Sequence, residues 1–317
     1  MNNILVETEG LQKYFDVGHG SKLHAVDSVN LQIKKGTTMG VVGESGCGKT
    51  TLGRTILGLL PSTGGKIYFD GRDITQVNHQ QQKELRRQMQ IIFQDPYSSI
   101  NPRHSIKKTI AEPLLVNGII KNKREREERV LELMNTVGLA PRLQDSYPHE
   151  LDGGRRQRVG IARALAVNPK FIVCDEPVSA LDVSIQAQVL NLLMDLQDQM
   201  GLTYMFITHN LSVVRHISTE IAVMYLGQCV ERAPSKELFK NPLHPYTKAL
   251  LSAIPIASAK AREVETEIIR GELTSPIDPV PGCRFASRCP YACPNCTGHD
   301  IPLRQASSDH YVACILH

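Results

Sequence analysis

One octapeptide limits the possible folds more than any other part of the chain: Gly43-Glu44-Ser45-Gly46-Cys47-Gly48-Lys49-Thr50. It follows the apolar run 39–42 and leads into residues 50–60, where Leu52, Ile56, Leu59 and Leu60 share one face at helical spacing. Strand, glycine loop and helix in this order match the spacing G-x-x-x-x-G-K-[ST]. There the glycines let successive backbone N–H groups turn inward onto phosphate oxygens, and the helix N-terminus adds partial positive charge. Gly43, Ser45, Gly46, Cys47, Gly48 and Thr51 are the expected cradle, Lys49 the cation on the β and γ phosphates, and Thr50 the hydroxyl on Mg²⁺. ATP or GTP is the expected ligand and an α/β core the expected fold.

The flanking pattern agrees. Residues 4–8 and 29–33 alternate as strands, and 171–174 is a short apolar run of the kind found in a central parallel strand. Residues 184–200 predict a helix ending at Gly201, and 203–208 a further strand. Residues 95–167 turn helical, most clearly over 123–137, where Val130, Leu133, Met134 and Val137 form one side and Gly138 stands at the cap position. Arg124, Glu127 and Glu128 read as its solvated face. Asp175 and Glu176 end the 171–174 strand: the first is placed to hold Mg²⁺, the second to polarise an attacking water. Beyond residue 251 the periodicity weakens, which puts a boundary near Ile254 and gives a nucleotide-binding domain over 1–253 and an extension over 254–317.

Composition excludes several classes. Among 317 residues, 41% are hydrophobic and 21% charged, too apolar for a disordered chain. The net charge of +4 leaves no conspicuous nucleic-acid footprint. The longest apolar runs, such as 221–227, are about a third of the ~20 residues a membrane helix needs. The first ten residues lack a basic start and an apolar stretch, so cytosolic residence with reduced thiols is expected. Five of the eight cysteines nevertheless fall between residues 283 and 314, as a local site would require.

Taken together, the phosphate loop, Gln94 in Ile91-Ile92-Phe93-Gln94-Asp95-Pro96, Leu151-Asp152-Gly153-Gly154-Arg155, Asp175-Glu176-Pro177, Ser179-Ala180-Leu181-Asp182 and Thr208-His209 resemble, in order, the ATP-binding subunits of ABC transporters. Gln94-Asp95-Pro96-Tyr97-Ser98-Ser99-Ile100-Asn101-Pro102-Arg103, His244-Pro245-Tyr246-Thr247 and the tail from Pro281-Gly282-Cys283 to Val312-Ala313-Cys314 look like its oligopeptide and dipeptide importer branch. The resemblance implies a mixed sheet with an antiparallel β portion, a helical subdomain over about 95–167 and a Cys-rich extension. It implies Glu176, His209 and Gln94 as the hydrolytic group, Thr50, Gln94 and Asp175 around Mg²⁺, and Phe15 or Tyr14 stacked on adenine. Asp152, Gly153, Gly154 and Arg155 would cap the ATP held by a second ABC ATPase subunit, with Asp182 at the dimer seam. The implied partners are that subunit, two transmembrane permeases and, through them, an extracytoplasmic binding protein, with the chain peripheral on the cytoplasmic face of the membrane. No nucleic-acid partner is expected. Branches of the same machine carry nickel chelates, glutathione or sugars, and a reading of another class is a soluble ABC-type ATPase acting on ribosomes or nucleic acid.

Two features depart from or extend the pattern. The family's usual Leu-Ser-Gly-Gly-Gln is here Leu151-Asp152-Gly153-Gly154-Arg155. Asp caps a helix as well as Ser, but a carboxylate a few ångströms from a γ-phosphate costs on the order of several kcal/mol at an effective dielectric of about 20. The expectation is an asymmetric ATPase pair, against the alternative that Asp152 turns away. In the tail, Cys283, Cys289, Cys296 and Cys314 are separated by five, six and seventeen residues. The resemblance implies that they hold a [4Fe–4S] cluster. Spacing alone leaves Zn²⁺ or free thiols open, and Cys293 adds a close pair with Cys296. Cys47 reads as a small residue that fits the loop, against the alternative that Lys49 and the helix N-terminus lower its pKa and make it reactive when ATP is absent.

Overall fold

The computed structural model describes residues 3–253 and 275–317, so the boundary expected near Ile254 lies outside them. Two sheets carry the chain. The smaller is antiparallel, in the order β2 (Lys22–Lys34), β1 (Ile4–Asp16), β4 (Gly64–Phe69), β5 (Arg72–Asp73). In the larger, mixed sheet β3 (Thr38–Val42) lies between β8 (Thr203–Ile207) and β9 (Glu220–Tyr225), and β7 (Phe171–Asp175) and β6 (Met89–Ile92) continue beyond β8, all parallel. Antiparallel β10 (Gln228–Pro234) pairs with β9, and the hairpin β11 (Arg304–Ser307) and β12 (His310–Val312) extends that edge.

The central strands β3, β7 and β8 are buried along their whole length because both their faces are covered. Period-two alternation sorts them. Met39, Val41, Phe171, Val173, Met205, Ile207, Ala222 and Met224 face helix α1 (Lys49–Ile56) and the small sheet, packing with Leu52, Ile56, Leu11 and Leu31. Val42, Ile172, Cys174, Tyr204, Phe206, Ile221 and Val223 belong to the opposite core. α1 is therefore clasped between two sheets, which fixes the start of the helix that follows the glycine loop.

Beyond β5 come α2 (His79–Gln88), α3 (Pro96–Ser99), α4 (Ile106–Val116), α5 (Lys123–Thr136) and α6 (Gly153–Leu165). Helices α4, α5 and α6 share the second core through Ile110, Leu133 and Ile161. α5 starts on Asn122, whose side chain accepts from Arg124 N–H at 2.9 Å, and Gly138 follows it at φ +69°. The predicted charged face is solvated, with Arg124 and Glu128 paired at 3.0 Å. α7 (Val183–Met200) ends on Gly201 at φ +65°, and α8 (Leu211–Ile217), α9 (Ser235–Lys240) and α10 (Pro245–Ser252) complete the described helices. α1 is shorter than expected. Gly58, at φ +66°, turns the chain after Ile56, and Leu59 is left 47% exposed while Leu52 and Ile56 are fully buried.

Candidate functional site

The loop between β3 and α1 wraps around its own lysine. Lys49 Nζ donates to the carbonyls of Gly43 at 2.8 Å and Glu44 at 2.9 Å, and the residue is 5% exposed. α1 begins on Gly48, at φ +101°, with no side chain capping its first N–H groups. Uncapped N–H groups at a helix start are available to an anion, as a phosphate cradle requires. Two of the loop glycines are required by neighbouring backbone. A Cβ on Gly43 would lie 2.2 Å from Met224 O, and one on Gly48 would lie 1.9 Å from Ala25 O.

Thr50 Oγ1 donates to Asp175 Oδ1 at 2.7 Å, bringing two hard oxygen donors to the end of the loop. Burial raises the Asp175 carboxyl above the usual range, against the opposing pull of Thr50 and of Arg54, which lies 3.7 Å from Oδ2. Next along β7 the backbone reverses. Glu176 has φ +49°, a strained conformation for a side chain of its size, held by a hydrogen bond from its N–H to Ile207 O at 3.0 Å. This turn aims the carboxylate at two partners: Gln94 Nε2 donates to Oε2 at 3.0 Å, and His209 Nδ1 lies 3.2 Å from Oε1. Gln94 follows β6, Glu176 follows β7 and His209 follows β8, so three adjacent parallel strands deliver the three side chains at their C-terminal ends, where α/β sheets bind ligands.

These groups line one cleft of about 560 Å³ together with Ser45, Gly46, Gly48, Lys49, Thr50, Thr51 and Phe15. Phe15 and Tyr14 part company. Lys13 Nζ stands 4.9 Å above the Phe15 ring, which borders the cleft, whereas Tyr14 turns to the other face, stacks on His24 at 3.8 Å and donates to Asp27 Oδ1 at 2.5 Å. Of the two residues, Phe15 is the one that lines the cleft. Leu23, Ala25 and Pro276 also line the cleft, and sequence reasoning missed them. Pro276 arrives because the segment after residue 274 lies along β2: His24 N–H donates to Pro276 O at 2.9 Å, and Asp278 N–H to Lys22 O at 2.9 Å. No local spacing signals a contact between residues so far apart in the chain.

Cys47 is a small residue packed inside the loop, as its main reading has it. It is 1% exposed, and burial pushes its thiol up despite Lys49 Nζ at 3.7 Å. A buried thiol with a raised pKa is a poor nucleophile.

Asp152, Gly153, Gly154, Arg155 and Asp182 lie outside this cleft, where two segments meet. A Cβ on Gly153 would lie 3.1 Å from Leu181, and one on Gly154 would lie 2.6 Å from Ile185. Asp152 caps α6: Oδ1 accepts from Arg155 N–H at 2.7 Å, and Oδ2 lies 3.5 Å from Arg155 Nε. Asp182 caps α7 through its backbone, with its side chain exposed.

In the tail, Cys283, Cys289, Cys296 and Cys314 line one small recess with His244 and Phe285, and Cys293 stands outside it. Burial pushes the Cys283 thiol up to about 11. Cys293 and Cys296 approach to 3.9 Å, yet among the described residues no group of three or more His, Cys, Asp or Glu side chains is placed to hold one metal ion. A buried carboxylate ties this region to the sheet: Glu231 on β10 accepts from Leu243 N–H at 2.7 Å and His244 N–H at 2.9 Å, and pairs with His310 Nε2 at 2.8 Å.

Comparison with known proteins agrees with this geometry. Residues 26–179 match the ABC transporter family and residues 230–296 the oligopeptide/dipeptide transporter C-terminal region. The oligopeptide transport ATP-binding protein AppF of Bacillus subtilis is 48% identical over 99% of this chain and 97% of its own length. The dipeptide transport ATP-binding protein DppF of Haemophilus influenzae is 47% identical over 99% and 97%. Among solved structures, cbiO1 of Clostridium perfringens, part of the ABC transporter complex cbiONQ, superposes with a TM-score of 0.68 at 27% identity, covering 76% of this chain and 92% of cbiO1. A dimeric ATP-binding cassette in a post-hydrolysis state with ADP and Pi gives 0.66 at 29% identity, covering 73% of this chain and 99% of the cassette.

Proposed function

The chain belongs to the ATP-binding subunits of ABC transporters, in the branch that carries the oligopeptide/dipeptide transporter C-terminal region, and from that premise we propose how it couples ATP hydrolysis to import of di- and oligopeptides. The observation that carries the chemistry is Glu176, held between Gln94 and His209 across the cleft from Lys49. ATP enters with its adenine against Phe15 and its phosphates in the loop. Thr50, Asp175 and Gln94 would hold Mg²⁺, which would supply charge neutralisation to the phosphates when bound. Lys49 swings from the carbonyls of Gly43 and Glu44 to those phosphates. Glu176 accepts the proton of a water that Gln94 and His209 align. Peptide as cargo is supported by the names of the curated relatives.

A lone chain offers one cleft and, separately, the exposed α6 N-terminus, which fits a head-to-tail pair in which each chain caps the other's ATP. The partners we assign are a second ATPase subunit and two permeases at the cytoplasmic face of the membrane, docked around residues 97–103. There Tyr97 is half exposed, with Arg156 5.2 Å over its ring. Because Asp152 binds Arg155 N–H through one oxygen only, its other oxygen and the Arg155 guanidinium, both about half exposed, are what the partner's γ-phosphate would meet. We infer that this second site turns over slowly. The expected result of Asp152→Ser is faster turnover in the assembled transporter and more nearly equal nucleotide occupancy of the two sites. Unchanged turnover and occupancy would refute the asymmetry.

For the tail we assign Cys283, Cys289, Cys296 and Cys314 to a [4Fe–4S] cluster. Four thiolates suit Zn²⁺ as well as a cluster; the assignment rests on the resemblance of the tail and on the four thiols sharing one recess of about 10 Å³, which must open to admit a cluster. His244 supports the fit. Its Nδ1 accepts from Tyr246 N–H at 3.1 Å, so the proton sits on Nε2, a buried donor with no partner on a recess lined by thiols. Such a donor suits a sulfur-rich group.

One isolation tests machine and tail together. The chain, tagged and recovered anaerobically from native membranes, is expected to bring two permeases and a second ATPase, and to contain iron and acid-labile sulfide in equal amounts. Recovery on ribosomes or nucleic acid would overturn the transporter reading, and stoichiometric zinc without sulfide would overturn the cluster.

A further inference from the structure

The C-terminal extension reaches the phosphate loop at Glu44. Arg288, 244 residues downstream, donates from Nη1 to Glu44 Oε2 at 2.9 Å and from Nη2 to Oε1 at 3.2 Å, and its Nη1 also reaches the Tyr225 hydroxyl at 3.2 Å. Its side chain is 8% exposed against 26% for Glu44. Tyr246 on α10 holds the same residue by its backbone, with its hydroxyl accepting from Glu44 N–H at 2.9 Å. Behind these contacts Tyr225, Tyr246 and Phe285 pack ring against ring, with centroids 4.6–5.4 Å apart. The far end of the loop is braced from the same direction. Arg284 bonds to Leu226 O and to the Asp27 carboxylate, and Gly227 N–H donates to Cys47 O at 2.9 Å.

Glu44 occupies the second position of a loop whose other groups are arranged for anions. An unpaired carboxylate there would repel the polyphosphate that the loop receives. A guanidinium fork neutralises it and fixes its direction as well, which a point-charge ammonium does not. Lys49 also grips Glu44 through its carbonyl. When Lys49 turns to phosphate, Arg288 and Tyr246 remain to hold the loop in place.

We propose that the C-terminal extension is part of the ATP site, with Arg288 as a positioning residue that neutralises Glu44 and sets the phosphate loop for triphosphate. This rests on the reading of residues 43–50 as a phosphate site. Arg288 also immediately precedes Cys289, and Phe285 lines the cysteine recess, so the turn that carries Arg288 is shared between that recess and the loop.

The test is a double-substitution cycle on the full chain, reading equilibrium MgATP binding, with steady-state kinetics in the assembled transporter and thermal unfolding as the check on folding. Arg288→Ala is expected to weaken MgATP binding by about tenfold or more, because it leaves a partly buried carboxylate unpaired in an anion site. The loss falls on KM, with kcat at saturation carrying the smaller share. Arg288→Lys falls between. Adding Glu44→Gln to Arg288→Ala restores binding to within about threefold of wild type, as removal of both charges should. A wild-type chain that binds no MgATP overturns the phosphate reading and this one with it. A wild-type chain that binds, beside a folded Arg288→Ala that binds equally well or that Glu44→Gln fails to rescue, overturns this inference alone.

Discussion

Glu176→Gln is expected to lower ATP turnover of the assembled transporter by about 10²- to 10⁴-fold, the range a positioned general base supplies, while MgATP binding stays within about threefold. At 1.36 kcal/mol per tenfold this is about 3–5 kcal/mol of transition-state stabilisation. Gln keeps the volume and one carbonyl acceptor, so Gln94 Nε2 retains a partner; what is lost is an oxygen able to take a proton. Binding survives because Glu176 touches neither the loop nor the adenine side. The strained φ of +49° at Glu176 belongs to the same argument. A residue held in the left-handed region costs on the order of 1–3 kcal/mol and persists where the fold insists on it. Here the insistence is the hydrogen bond to Ile207 O, which keeps the carboxylate between Gln94 and His209. Phosphate release measured beside nucleotide binding decides the matter: a variant retaining more than about a tenth of wild-type turnover would move the proton acceptor elsewhere.

The cassette was legible in the sequence where its signals are local. A glycine loop between an apolar strand and an amphipathic helix, and two acids ending a second apolar run, are readable because phosphate binding and parallel sheets impose short, fixed spacings. The structure brings Lys49, Thr50, Gln94, Glu176 and His209 to one cleft although sequence alone showed them only in order. Illegible was what long separation hides. Pro276 at the nucleotide cleft, the hairpin β11–β12 added to the main sheet, and Arg288 at the loop depend on pairings with no local pattern. One misreading was local. The face containing Leu59 and Leu60 continued the helical period, but Gly58 ended the helix first. At Cys47 the alternative of a reactive thiol beside Lys49 gives way to the small-residue reading, because burial outweighs one nearby cation when the residue is 1% exposed. The choice between Tyr14 and Phe15 was open because consecutive strand residues face opposite ways, and the register between β1 and β2 shifts at Lys13 and Tyr14.

The glycines of the loop allow a sharper test than their conformational freedom alone. Gly48 and Gly36 both have positive φ, +101° and +70°, so alanine at either meets backbone strain of roughly 1–2 kcal/mol. They differ in what surrounds them. A Cβ on Gly36 finds nothing within 4 Å, whereas one on Gly48 would lie 1.9 Å from Ala25 O and 3.1 Å from its carbonyl carbon, both rigid backbone of β2. Relief requires the loop to move away from β2 by more than an ångström. Gly48 is also the cap from which α1 starts and the neighbour of Lys49, so that movement displaces the first helical N–H groups and the lysine together. Gly48→Ala is therefore expected to cost about 3 kcal/mol or more in stability and to weaken MgATP binding by at least about a hundredfold, since both the cradle and its cation are misplaced. Gly36→Ala should cost about 1 kcal/mol and leave MgATP binding unchanged. Denaturant unfolding and nucleotide titration of the two variants separate the explanations. Equal losses at both positions would mean that dihedral strain alone explains Gly48, whereas a loss of binding confined to Gly48 ties the phosphate site to the close approach of β2.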